Sequence, residues 1–407
     1  MFATSMPMST IAKSEPKRIY LDHAAATPLS ACAAAAMDAV RGRFGNPSSM
    51  HKEGRTAAQV LQSARERIAR VLGAAPGEII FTGSGSESDA LAVIGAARAL
   101  RSRGKHVVVS SVEHKAVLKS AQLLAQEGFE ISYVRPDSSG RVDPAAVARL
   151  VRDDTTLVSV MYANNEIGTV QPVAEIAALL RARPGGMRPL LHTDACQASG
   201  QLPLSVAALG VDLMSINASK TYGPKGIGAL YARRGVALVP LIPGEQEQQL
   251  RGGTESVVLA AGFAAALEEA ESLRAAEVPR LAHLRDLLLE EIKKEVQDLV
   301  VNGGMAERLA GNLHVSVPNI EGESILLMLD AAGIACATGS ACNSFDLEPS
   351  HVLLAVGGEA ALAHGSIRLT LGRSTAEAEV RRTARELGRI VRTLKSFSAL
   401  TVPALKI

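Results

Sequence analysis

Between residues 53 and 74 the apolar side chains Ala57, Val60, Leu61, Ala64, Ile68, Val71 and Leu72 recur every three or four positions. That spacing predicts a helix that buries one face. The pattern then changes. EIIFTG, KHVVVSS, TLVSVMYA, PLLHTDA, VDLMSIN and GIGALYARR are short apolar runs rich in β-branched residues, most of them separated by helical stretches. Near-continuous apolar strands joined by helices predict an α/β domain, a mostly parallel sheet covered on both faces, between about Ser30 and Gly244. Farther along, VPRLAHLRDLLLEEIKKEV and STAEAEVRRTARELGRIVRTLKS read as long amphipathic helices, the second lined by Val380, Leu387, Ile390, Val391 and Leu394. Strand-like NLHVSVP and SIRLTL lie between them, which predicts a smaller α+β domain. The expected division is a tail over 1–17, a large domain over 18–264 whose first residues pack with the small domain, and a small domain over 265–407.

Composition narrows the function. Lys+Arg 43 against Asp+Glu 41 leaves no overall field that would favour nucleic acid or an anionic membrane. The longest apolar stretches, such as VALVPLIPG, are too short to span a bilayer, and residues 1–18 lack a secretory apolar core. Four cysteines, Cys32, Cys196, Cys336 and Cys342, are too few for a disulfide framework, and Cys336 and Cys342 have no second Cys/His pair nearby to complete a zinc site. A reducing cytoplasm is the expected setting, and no metal is expected.

In a parallel sheet of this kind ligands bind beyond the carboxyl ends of the strands. The candidate chemistry lies there. FTGSGSESDALAV is a glycine-rich turn feeding a helix at about Glu87, so Gly85 and Ser86 could present N–H groups to a phosphate, or the segment could be a plain serine cap. His114 follows HVVV and is a candidate catalyst or a capping residue. Asp194 ends a strand, with Gln197 just after it; the carboxylate could hold a protonated ring nitrogen or cap the next helix. Lys220 follows another strand in a Gly/Pro-flanked turn and could equally be a solvated lysine. Lysine, aspartate, histidine and an anion-binding helix start, all at strand ends, together suggest pyridoxal phosphate.

YLDHAAATPL, NPSSMHKEG, EHKAVL, NNEIGTVQP, HTDACQASGQLPL, KTYGPKGIGALY, RGGTES and GSACNSFDLEPSHVLLAVG, in this order over about Arg18 to Leu394, resemble the cysteine desulfurases of pyridoxal-phosphate fold type I, in their iron–sulfur-type branch. The resemblance implies a seven-stranded sheet in the large domain and a homodimer that converts L-cysteine to L-alanine. It implies that Lys220 bonds the cofactor and takes the Cα proton, that Asp194 pairs with the ring nitrogen, and that Gln197 and Asn165 lie at the ring hydroxyl, with Asn165 also near the substrate. His114 would stack on the ring and assist proton transfer, and Arg368 would clamp the substrate carboxylate. Thr254 would reach the phosphate of a partner subunit. Cys342 would take the sulfur as a persulfide and pass it to an acceptor protein such as an iron–sulfur scaffold. A selenocysteine lyase or another β-lyase of this fold would share the cofactor site, an aminotransferase would have no use for a loop cysteine, and a non-enzymatic scaffold would not need the Lys220, Asp194 and His114 set.

One stretch departs from the family pattern. Asn217-Ala218-Ser219-Lys220 stands where Ser-x-His-Lys is common, and Gly85 replaces a common alanine. Asn217 and Ser219 can still donate hydrogen bonds to the phosphate, but a potentially cationic ligand is gone, which predicts a more neutral cradle that retains the cofactor less tightly. Cys336 and Cys196 read as packing residues, Cys32 carries no signal, and His23 could line the substrate pocket or stabilise a turn.

Overall fold

The computed structural model describes residues 18–183, 188–338 and 349–398. The tail expected over 1–17 and the candidate Cys342 lie outside the described residues. Seven strands form the central sheet, in the order Ile79–Thr82, Gly228–Ala232, Leu213–Asn217, Leu190–Asp194, Thr155–Ser159, His106–Ser110 and Glu130–Val134. Gly228–Ala232 runs antiparallel to both neighbours, and the remaining pairs are parallel. Side chains alternate between two cores: Val108 and Val158 point to one, Val107, Val109 and Leu157 to the other. The first core is closed by the helix Lys52–Leu72 through Leu61, Ala64, Ile68 and Leu72, the second by Leu91, Ile94, Val117 and Leu124. Burying each of these leucine, isoleucine and valine side chains contributes about 1.5–3 kcal/mol of transfer free energy. The edge strand Glu130–Val134 buries only Val134 within it, so it lacks the apolar run that marks the other six.

A third core gathers Leu313, Val315, Ile367 and Leu369 from the antiparallel sheet Ala337–Thr338, Ser366–Thr370, Asn312–Ser316 and Val300–Val301 with Val380, Leu387, Ile390 and Val391 of the helix Glu377–Ser398. Ile19–Tyr20 pairs in parallel with Ile334–Ala335, and Ile19 and Leu21 join this core. The helix Val257–Glu295 is continuous, and the boundary expected at residue 265 falls inside it. Its Ala260–Leu267 stretch packs on the large sheet, whereas Leu281, Leu284, Leu288 and Ile292 belong to the third core. Pro279 lies within the helix, between those two contact regions. No helix among the described residues is long and apolar enough to cross a membrane.

The glycine-rich turn enters its helix two residues earlier than the sequence suggests, at Gly85 rather than Glu87. Ser84 is the cap. Its Oγ accepts the Glu87 N–H at 3.1 Å while Glu87 Oε2 accepts the Gly83 N–H at 2.7 Å, a reciprocal arrangement that stabilises a helix start by about 1 kcal/mol. Gly85–Ala90 continues through a π-helical turn, Leu91–Gly95, into Ala96–Ala99.

Candidate active site

The loops beyond the strand ends converge. Asp194, the last residue of Leu190–Asp194, is buried, and its Oδ1 accepts the Cys196 N–H at 2.9 Å. His114 caps the helix Lys115–Gln126, its Nδ1 accepting the Ala116 N–H at 3.1 Å. The capping role therefore holds and also orients the ring, leaving Nε2 for the site. Side-chain ligand atoms of His114, Asp194 and Asp89 all lie within 4.8 Å of one another. Burial lowers the pKa of His114 and the nearby Asp194 carboxylate opposes that shift.

Asp89 escaped the reading of the sequence. It lies four residues after Gly85 in the same helical run and so shares its face. It is buried, its Oδ1 has no hydrogen-bond partner, and its pKa is raised, first by burial and then by Asp194. Behind it His192, also buried, accepts or donates bonds with Ser159 at 2.8 Å and Ser215 at 3.0 Å. Glu113, beneath the same loops, is pushed up to about 8 by burial despite bonds from Ser110 and the Met161 N–H.

Lys220 leaves the strand Leu213–Asn217 through a turn closed by its own N–H, which donates to Asn217 Oδ1 at 3.2 Å. Tyr222 takes a left-handed φ of 59° in this turn, held by its N–H to Thr27 Oγ1 at 2.7 Å and by Arg373 stacked on its ring at 4.1 Å. Burial raises the pKa values of Asp89 and Cys196 and lowers that of His114; the Lys220 charge opposes the first two shifts and adds to the third, so the amine lies within electrostatic reach of all three. Lys220, Gln197 and His23 line one cleft, and Gln197 Nε2 donates to the Ala24 carbonyl at 2.9 Å. His23 is buried, its pKa lowered to about 4 by burial, and its Nε2 has no partner.

At the opposite end of the site the residues are neutral. A Cβ on Gly85 would sit 2.6 Å from Cys196 Sγ and 2.9 Å from Asn217 Nδ2. The glycine is therefore coupled to both neighbours: Cys196 first and Asn217 next occupy space that an alanine at 85 would need. Ser86 is exposed at the first turn, and Ser219 is held by its carbonyl, which accepts Thr27 N–H and Oγ1–H at 2.8 and 3.1 Å. Thr254 is exposed and does not line the cleft with Lys220; Arg251 ties its segment to the glycine-rich turn through Glu87 Oε1 at 2.8 Å.

Arg368 projects from the strand Ser366–Thr370 and is buried. Its Nη1 donates to the Asn165 carbonyl at 2.8 Å and its Nη2 to Asp22 Oδ1 at 2.9 Å. Its Nε is buried without a partner. Both flanks of the segment that carries Cys342 approach this region. Ala337 is registered against Arg368, while Ser350 hydrogen-bonds the Glu166 carboxylate and His351 Nε2 meets the Glu113 carbonyl at 3.0 Å. Of the described cysteines, Cys32 is exposed, Cys196 is buried with its pKa raised by burial, and Cys336 is half-buried, pushed up to about 12 by burial. The last two are poor nucleophiles at neutral pH.

An amine, a carboxylate and an imidazole around one buried space, beside a helix start too tight for a Cβ, fit a phosphorylated pyridine aldehyde: Lys220 to bond it, Asp194 for the ring nitrogen, and Gly85 and Asn217 at the phosphate end. The model of the aminotransferase class-V family matches residues 19–383. A cysteine desulfurase IscS of Dictyoglomus turgidum is 45% identical over 384 residues, covering 94% of this chain and 96% of its own. The solved structure of a NifS-like protein superposes with a TM-score of 0.86 at 34% identity, over 93% of this chain and 100% of that one. That of SspA in complex with cysteine has a TM-score of 0.76 at 35% identity, over 87% of this chain and 98% of that one. The resemblance read from the motifs and the type I fold are borne out, and the chain belongs to the aminotransferase class-V family and, within it, to the pyridoxal-phosphate-dependent cysteine desulfurases.

Proposed function

We propose that the chain converts L-cysteine to L-alanine and hands the sulfur, as a persulfide on Cys342, to an acceptor protein such as an iron–sulfur scaffold. The observation that carries this reading is the convergence of Lys220, Asp194 and His114 in the large domain, with Arg368 of the small domain meeting the Asn165 backbone. Relatives named for cysteine desulfuration, and one bound to cysteine, favour that substrate over selenocysteine.

Pyridoxal phosphate supplies an electron sink that weakens the Cα–H and then the Cβ–S bond of the amino acid. Asp194 would hold the proton of the ring nitrogen, and His114, oriented by its bond from the Ala116 N–H, would lie against the ring with Nε2 free to carry a proton. Lys220 would hold the cofactor through Nζ, and as a free amine it would take the Cα proton. Arg368 would receive the carboxylate, and Asn165, whose carbonyl holds Arg368, would serve both the substrate and the ring hydroxyl. The Cys342 sulfur bonds the substrate sulfur as the carbon–sulfur bond breaks, leaving enzyme persulfide and alanine. The positions of Ala337, Ser350 and His351 support Cys342 in this role, because the chain enters and leaves the intervening segment beside Arg368, Glu166 and Glu113.

The working unit in this proposal is a homodimer in the cytoplasm, with Thr254 reaching the partner's phosphate. Phe44 and Met50, each 87% exposed, are large apolar side chains of the kind a second copy would cover. Adding L-cysteine to the holoenzyme should perturb its visible absorbance and yield alanine and protein persulfide in equal amounts in the first turnover. C342A should keep the absorbance and lose the persulfide; a persulfide still formed by that variant would overturn the assignment.

A further inference from the structure

Arg368 is held from two sides, and one of its holders has no assigned role. Asp22 follows the strand Ile19–Tyr20 and forms an isolated parallel bridge with Thr370. Its backbone is fixed on every side. The Asp22 carbonyl accepts the Tyr20 hydroxyl and the Ala25 N–H, both at 3.1 Å, and Thr370 Oγ1 accepts the Ala24 N–H at 3.0 Å. From this rigid turn the carboxylate reaches Arg368 Nη2 at 2.9 Å, a partly exposed acid on a guanidinium that is only 5% exposed. Two residues on, the Ala24 carbonyl holds Gln197. One turn thus ties the arginine to the cofactor side of the cleft.

We infer that Asp22 is a positioning residue for substrate recognition: it neutralises and aims the Arg368 guanidinium so that its remaining N–H donors meet the amino-acid carboxylate. This rests on the proposed clamp role of Arg368. A guanidinium has five N–H donors; one goes to Asp22, one to the Asn165 carbonyl, and the rest, including the unpartnered Nε, remain for a ligand. Two effects of Asp22 oppose each other. Its negative charge repels an incoming carboxylate, while its hydrogen bond keeps a buried, planar donor fork in one orientation. Orientation dominates. An unpaired guanidinium in this buried place is costly enough to swing away or recruit another acceptor, and a bidentate contact tolerates little misalignment. The repulsion is moderated because Asp22 is open to water and is itself paired.

The test uses the holoenzyme and two amines, L-alanine and ethylamine, which lacks the carboxylate. Their binding is followed through the visible absorbance, beside kcat and KM for L-cysteine. In D22A, KM for L-cysteine and the dissociation constant of L-alanine should rise about tenfold, with kcat and ethylamine binding within twofold of the parent. D22N keeps an acceptor in place and should recover most of the affinity. Tighter alanine binding in D22A would make Asp22 a competitor and overturn the inference. So would equal weakening of alanine and ethylamine, which marks a general structural role. R368Q separates the two levels. Unchanged alanine binding there would remove the clamp and the inference with it, whereas weakened binding in R368Q but not in D22A would overturn the inference alone.

Discussion

The two ends of the cofactor site are built from opposite materials. At the ring end, Asp194, Asp89 and Glu113 crowd with His114 and His192 in a space almost closed to water. At the proposed phosphate end stand Gly85, Ser86, Asn217 and Ser219, all uncharged, with the Glu87–Arg251 ion pair beside the same turn. In the proposed function charge is concentrated where protons would move, and the anion would be left mainly to backbone N–H groups, amides and hydroxyls. Within this end Gly85 is packed against Cys196 Sγ and the Asn217 amide, so the three positions act as one unit.

Removing the ring-end charge should have the largest effect. D194N keeps the shape but no longer favours a protonated ring nitrogen, and kcat should fall by about two to three orders of magnitude, read with the visible absorbance of the variant. At the phosphate end the coupling between Gly85 and Asn217 sets the next effect. G85A should weaken cofactor binding by about 1–3 kcal/mol through overpacking against Cys196 and Asn217, measured by titrating the apoprotein, and N217S in the same chain should restore only part of it, because Cys196 Sγ stays in the way. If G85A binds the cofactor as the parent does, the neutral end is looser than the geometry implies.

The smallest effect is on the pH dependence of stability. Glu113 has a folded pKa near 8 against an ordinary 4.5, so between those values the folded chain holds a proton that the unfolded chain has lost. Its contribution therefore falls as pH rises through that window. His23, lowered to about 4, acts the other way, costing stability as pH falls from about 6.5 toward 4 because the unfolded chain gains the proton first. E113Q should flatten the alkaline side of the profile, seen as denaturation midpoints at pH 5 to 8, and leave the acid side unchanged.

Much of this molecule was legible in the chain itself. Six of the seven sheet strands were visible because both faces are buried, which makes each a continuous apolar run; the edge strand Glu130–Val134 was not, because half its surface meets water. The helix Val257–Glu295 hid the boundary between the two cores, since its backbone is uninterrupted while its burial changes partner. Lys220, Asp194, His114 and Arg368 could be named because motif and strand-end position mark single residues. Asp89, Glu113 and Asp22 could not, for an acid in a sequence reads as solvated until its neighbours are known. The order of elements, the fold class and the family were determined by local pattern and motif. Which acids are buried together, which glycine must leave room for which asparagine, and which carboxylate holds the arginine were decided only by the tertiary structure, because each depends on distances between segments far apart in the chain.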